Sequence, residues 1–527
     1  MILALWCALA GTLLGSEGPA PKPKLVVMIT VDLLRPDFFD RYHSQLRGGL
    51  DLLRREGAFF THAYQDHAVT ETAPGYATVL SGRWPAHTGI VRNAAGVQDP
   101  TAPLLEVGGP GASPARFRGT ALLDWLEAVD SGARALSVSR KDRGAILPVG
   151  RSRQQVYWYQ SGVFTTSRYY ADSLQTWVRV FNAERVPFKA AGAAWTLLLP
   201  DTDYAEPDTQ VWENGGSDVA FPHRLPLIGT RAAAAFAEVP AMDSLTLAFA
   251  LAGVDALGLG RRGSTDLLAV GLSATDAVGH AFGPDSREIH DQFVRLDRYL
   301  GWFLGGLFRR YGRENLLIAL TADHGVTPLP ERSRAEGHHE ATRVLPDSIV
   351  QSVNAELRAR MGQGTGDWLE FDSGMFLVRD RDARAAAGVD VDSLVGALAA
   401  QVRALPGVAR VDRPADLVGT DTAADPVARR WLHDLAPPSD AGVVLVVTLE
   451  PYSIWGYDNL PIAMHGQPSD FDAHVPLMLW GRGVRRGVYH ARASTVDIAP
   501  TLARLLGVTP LERLDGRVLT EALSGGR

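Results

Sequence analysis

Three apolar runs constrain this chain more than anything else in it: Leu25–Val31, Asp266–Leu272 and Leu316–Thr321. Each is continuous and aliphatic, the pattern of a strand buried on both faces of a mostly parallel sheet. Each is also followed closely by side chains that can bind a metal. Asp32 follows the first run, Asp276 and His280 the second, Asp323 and His324 the third. Open α/β sheets place their ligands at the carboxyl ends of central strands. A strand-terminating Asp that caps the next segment is an equal alternative for any one of these. Three such strand ends in one chain favour a shared site. Asp276 and His280 are four apart, so one helical turn or a compact loop aims both at one ion.

A fourth stretch supplies a nucleophile. Thr70-Glu71-Thr72-Ala73-Pro74-Gly75-Tyr76-Ala77-Thr78 puts Pro74 in a first helical turn, where its missing N–H has no partner to lose. Ser81-Gly82 stops the helix. Thr72 then faces unpaired N–H groups and the positive pole of the helix dipole, a setting that attracts a phosphoryl group. A plain helix cap is the local alternative.

Of 52 basic residues only Lys22, Lys24, Lys141 and Lys189 are lysines. Lys141 lies in Arg140-Lys141-Asp142-Arg143, directly after the strand-like Arg134–Ser139. An ammonium and a guanidinium are not interchangeable at a tight site, so phosphate binding by Lys141 and Arg143 stands beside a solvated basic turn. Asn93 reads as a turn residue or as an amide donor to an oxyanion. His87 has no companion at ligand spacing and is structural, and His338-His339 lie in an exposed loop. His474 stands before the apolar Val475–Gly481 and joins the ligand candidates; His465-Gly466 precede it.

The 527 residues can bury a large core, and a formal charge of -7 offers no basic footprint for nucleic acid. Residues 1–18 read as a secretory signal peptide: Ile2–Gly15 is apolar, too short to span a bilayer, and small residues follow. Cys7, the sole cysteine, lies inside it, and Trp6 before it argues against lipidation. The mature chain therefore has no disulfide and no thiolate ligand. Ligands spread from Asp32 to His474 require one catalytic domain over 19–527. Stretches at about 150–240, aromatic and irregular, and at about 330–440, a small α+β unit, are inserts. The first is placed over the ligand-binding edge of the sheet. The fold class is α/β: a central mostly parallel sheet sandwiched by helices, with inserted subdomains.

Three imidazoles and three carboxylates suit two zinc ions better than magnesium or calcium. Val31-Asp32, Thr72-Ala73-Pro74-Gly75, Gly89-Ile90 with Asn93, Lys141 to Pro148, Asp276 with His280, Asp323-His324-Gly325 and His474-Val475-Pro476 resemble, in order, the alkaline phosphatase superfamily. The nearest branch is the phosphate-irrepressible alkaline phosphatases with a threonine nucleophile. The resemblance implies one zinc on Asp276, His280 and His474, and another on Asp32, Asp323, His324 and Thr72. It further implies that Asn93, Lys141 and Arg143 contact the phosphate oxygens, and that a phosphothreonine intermediate forms. Where relatives carry an aromatic after the asparagine, this chain has Ala94-Ala95-Gly96. The expected protein is an exported, periplasmic or secreted phosphomonoesterase acting on small phosphate esters. It has no nucleic acid as structural partner and no membrane span after signal cleavage. The alternative is a nucleotide pyrophosphatase/phosphodiesterase of the same superfamily, which would lack the Lys141/Arg143 pair.

Overall fold

The computed structural model describes residues 22–361, 367–379, 390–435, 442–456 and 462–524; the expected leader lies outside them. Its main sheet uses strands β1 Leu25–Val31, β2 Ala58–Tyr64, β3 Ala135–Ser139, β4 Gln155–Gln160, β5 Val163–Thr165, β6 Asp266–Leu272 and β7 Leu316–Thr321. A small second sheet is built from β8 Leu369–Asp372, β9 Met375–Val378, β10 Val408–Asp412 and β11 Val443–Leu449. The main sheet is completed by β12 His474–Gly481, β13 Gly487–Tyr489 and β14 Ala493–Ser494.

The main sheet runs β13-β2-β12-β7-β1-β6-β3-β4-β5, with β14 also on β2. Its centre, β7-β1-β6-β3-β4, is parallel, so the carboxyl ends of the three predicted strands lie side by side. Strand β12 enters antiparallel between β7 and β2.

The unbroken apolar pattern of β1 has a simple cause. Val27, Ile29 and Val31 pack into a core on one face, while Val26 and Met28 pack into a core on the other. Full burial of such a side chain is worth roughly 1.5–3 kcal/mol, so neither face tolerates alternation with polar residues. Helices Ala241–Leu257 and Arg287–Tyr311 cover the first face; Thr72–Ser81, Leu122–Val129 and Ile498–Leu506 cover the second.

Both inserts differ in extent from the sequence reading. Tyr157-Trp158-Tyr159 belongs to β4 of the main sheet, with Tyr157 and Tyr159 in one core and Trp158 in the other. Apolar side chains on both faces of that strand hid its periodicity. The second insert runs on to Leu449, because β11 is an inner strand of the small antiparallel sheet β8-β9-β11-β10. That sheet has its own core around Phe376, Leu398, Leu445 and Trp455.

Candidate active site

Thr72 is the first residue of the helix Thr72–Ser81, which follows extended Glu71 and ends at Gly82 in a left-handed turn (φ 66°). All ten residues of the helix are buried. It can lie this close to the sheet because position 75 is glycine: a Cβ there would stand 2.2 Å from the Asp323 carbonyl oxygen. One turn after Thr72, the Tyr76 hydroxyl donates to Asp32 Oδ1 at 2.5 Å. Burial and the Asp32 carboxylate push the Tyr76 phenol well above its ordinary range, so it stays a donor.

The three strand ends converge under this helix. Asp32, Asp323 and His324 are fully buried, and Asp276 is nearly so. The Lys141 ammonium stands among them, 2.7 Å from Asp276 Oδ2, 2.9 Å from Asp32 Oδ2 and 3.2 Å from Thr72 Oγ1. Burial lowers the Lys141 pKa, but Asp276 and Asp32 outweigh it and raise it overall. Burial opposes ionisation of Asp276, yet Lys141 and His280 hold its carboxyl well below the usual range. Burial and the Asp32 charge drive Asp323 the opposite way, well above it.

Three imidazoles face Asp276 in one orientation. His280 Nδ1 lies 2.6 Å from the Ala463 carbonyl, His324 Nδ1 2.9 Å from that of Gly325, and His465 Nδ1 2.8 Å from that of Thr70. A carbonyl only accepts, so each Nδ1 carries a proton and each Nε2 turns inward. The three Nε2 atoms lie 3.3, 4.0 and 3.7 Å from Asp276 Oδ1. Burial depresses His324 to about 4 and, with His324 and His280, holds His465 well below the usual histidine range. Both rings are neutral and able to donate a lone pair. Asp276, His324 and His465 offer donor atoms all within 4.8 Å of one another.

The chemistry of the donors fits metal. Asp276 Oδ1, Asp323 Oδ2 and His324 Nε2 are buried with no hydrogen-bond partner, a costly arrangement for three polar atoms that converge. A metal-bound histidine usually donates its other ring N–H to a carbonyl, carboxylate or water, and all three rings here have Nδ1 against a carbonyl.

His474 does not join this cluster. It opens β12, where its Nε2 donates to the Thr61 carbonyl at 2.7 Å and its ring stacks on Tyr64. That places it toward β2 rather than over β7 and β1. His465, stacked on His324 at 3.6 Å between ring centroids, stands where His474 was expected. The sequence reading placed its last candidate ligand at the start of a buried strand, whereas His465 lies in a loop. The signal was a His-Gly pair, His465-Gly466, matching His324-Gly325. Tyr76 was also missed, although its spacing of four from Thr72 puts both on one helix face.

The remaining predicted residues line one pocket of about 890 Å³ with Thr72: Asn93, Lys141 and Arg143. Asn93 Oδ1 accepts from the Ala73 N–H at 2.9 Å, and its own N–H donates to Glu71 Oε2 at 2.6 Å. Burial and Asp372 push Glu71 up to about 7. At the mouth, Arg140 pairs with Glu238, and Asn214, Ala281, Ile462 and Met464 complete the lining. Asn214 belongs to the first insert, which thus reaches the mouth. His87, read as structural, pairs with Asp515 at 2.7 Å away from the pocket.

The sequence matches the type I phosphodiesterase / nucleotide pyrophosphatase family over residues 26–107 and 125–404. The chain belongs to this family. Alkaline phosphatase PhoV of Synechococcus elongatus is 30% identical over 528 residues, covering 95% of this chain and 93% of PhoV. The crystal structure of alkaline phosphatase PafA superposes with a TM-score of 0.86 at 26% identity, covering 96% of this chain and 100% of PafA. Murine ectonucleotide pyrophosphatase / phosphodiesterase 5, at 15% identity and a TM-score of 0.56, shares the fold.

Proposed function

We propose that the chain is a phosphate monoester hydrolase, an alkaline phosphatase that works through Thr72. The observation that carries this is the Lys141 ammonium 3.2 Å from Thr72 Oγ1, in a pocket that Arg143 and Asn93 also line. A monoester near neutral pH is a dianion. Two cations beside the nucleophile at a helix start answer that charge. Relatives that match nearly the whole chain and are named alkaline phosphatases support the same reading.

The residues divide the work. Thr72 Oγ1 attacks phosphorus, the P–O bond to the leaving alcohol breaks, and phosphate becomes esterified to Thr72. Water then attacks the phosphothreonine, releasing phosphate and restoring the hydroxyl. Lys141, Arg143 and the Asn93 amide balance charge on the non-bridging oxygens. The dipole of Thr72–Ser81 adds to them. Asp276, His280 and His465 would hold one zinc, and Asp32, Asp323, His324 and Thr72 a second. When bound, the pair supplies Lewis-acid stabilisation of the attacking and leaving oxygens.

The family description keeps a phosphodiesterase reading in play, and one comparison separates them. Hydrolysis of an aryl phosphate monoester and the matching diester is measured for wild type and Lys141→Ala/Arg143→Ala. Charge-assisted contacts are worth roughly 1.5–3 kcal/mol each, so monoester kcat/KM should fall by about 100-fold or more and diester kcat/KM far less. A wild type that prefers the diester, or equal losses on both, assigns the chain to diesters. We also propose export, with residues 1–18 as the leader. Among the described residues no single helix is long and apolar enough to cross a membrane. Amino-terminal sequencing of protein recovered outside the cytoplasm tests it.

A further inference from the structure

The turn between β8 and β9 carries the small sheet of the second insert to Glu71, a residue that lines the catalytic pocket. Asp372 and Met375 pair across it, and the two residues between them, Ser373 and Gly374, both have positive φ (47° and 83°). Tight hairpin turns of this hand call for glycine, asparagine or aspartate, so serine at the first position is a conformational cost. What serine adds over glycine is a hydroxyl, and that hydroxyl donates to Glu71 Oε1. The other oxygen of Glu71 accepts the Asn93 N–H at 2.6 Å.

A second grip lies one residue away. Arg92 reaches back to the same hairpin, 2.9 Å from Asp372 and 3.3 Å from Glu370. Asn93 is thus held on one side through its own backbone and on the other through its neighbour's side chain. Its Oδ1 is already used by the Ala73 N–H at 2.9 Å, so the amide nitrogen is the part left for the pocket. The turn also abuts the segment that carries His465: a Cβ on Gly466 would stand 3.7 Å from both Glu71 Cγ and Ser373 Oγ.

Resting on the monoesterase reading above, we propose that Glu71 and Ser373 are positioning residues through which the inserted sheet orients Asn93 toward the phosphoryl group. The insert is then part of the catalytic apparatus. Its hairpin supplies a fixed point that the short, irregular segment around Asn93 lacks. Neither Ser373 nor Glu71 acts on the reacting atoms; both act through Asn93.

The test uses Ser373→Gly, which relaxes the turn while deleting the hydroxyl, and Glu71→Gln as a second variant. Each is made alone and on an Asn93→Ala background in the full chain. Steady-state hydrolysis of an aryl phosphate monoester, inhibition by inorganic phosphate and hydrogen exchange over residues 90–96 are measured. Ser373→Gly should lower kcat/KM and weaken phosphate inhibition by about tenfold, with no further loss once Asn93 is alanine. Exchange over 90–96 should quicken. A purely structural turn predicts that Ser373→Gly is neutral or stabilising and leaves kinetics unchanged, which would overturn the proposal. So would losses that multiply fully with Asn93→Ala. If wild type hydrolyses no monoester, the functional reading fails by itself. Exchange over 90–96 then decides the positioning: faster in Ser373→Gly supports it, unchanged refutes it.

Discussion

The floor and the mouth of the pocket are built on opposite terms. Thr72, Asp32, Asp276, Asp323 and His324 at the floor are almost wholly buried, and each hangs from a strand end or from the first turn of a helix, Thr72–Ser81 for Thr72 and Ala274–Phe282 for Asp276. At the mouth, Asn214, Glu238, Ile462 and Met464 are half-buried or exposed, and they come from short 3-10 turns and a loop. Buried acidic groups crowded around one lysine work against stability, because they have left water for an incomplete set of partners. Such a cost is retained where the chemistry needs it. The mouth carries no such burden. On the proposed function, the floor carries the reaction and the mouth borders the way to it.

The sharpest way to break this contrast is at the nucleophile. Thr72→Ala should lower monoester turnover by ~10³-fold or more while the protein folds, and acid-quenched wild type should carry phosphate on Thr72. Label on another residue would remove the floor's central assignment.

Next in size is a histidine exchange. His465→Ala should strip bound zinc, measured by elemental analysis, and cost about 100-fold or more in activity. His474→Ala should leave metal content intact and change activity no more than about threefold. The reverse pattern would return the last ligand to β12.

The tie between the second insert and the sheet offers a subtler probe. Asp66, just past β2, is gripped by Arg429 and Arg430 of the insert and by Arg492. Burial opposes its ionisation, but these guanidiniums hold it at about 2. The folded value lies below the unfolded one of about 4. As pH falls the unfolded chain therefore takes up the proton first. The stabilisation is complete above pH ~4 and is lost toward pH 2, worth roughly 2 kcal/mol. Denaturant titrations from pH 5 to 2 should show that loss in wild type and a smaller one in Asp66→Asn. Equal slopes would mean the clamp contributes nothing.

The smallest effect belongs to the mouth. Asn214→Ala should alter kcat/KM for a small aryl monoester by no more than about twofold. A loss of tenfold would show that the mouth takes part in the chemistry and would erase the distinction.

Much of the floor is legible in the sequence, for a local reason. A strand buried on both faces must be continuously apolar, so an Asp or His within a few residues of its end stands out, as Asp32, Asp276, Asp323 and His324 do. Thr72 stood out too, because helix starts have their own residue preferences. Lys141 drew notice from the scarcity of lysine in an arginine-rich chain.

What the chain alone could not decide is which distant loop meets a strand end. The sequence reading took His474 as the donor and passed over His465, nine residues earlier. The choice between them follows from β12 running antiparallel beside β7, with its first side chain turned to the Thr61 carbonyl. The link from Ser373 to Glu71 spans 302 residues. Local sequence specifies strands, caps and turns through near-neighbour sterics and burial pattern. Pairing across hundreds of residues depends on how whole elements pack, and only the tertiary structure settles it.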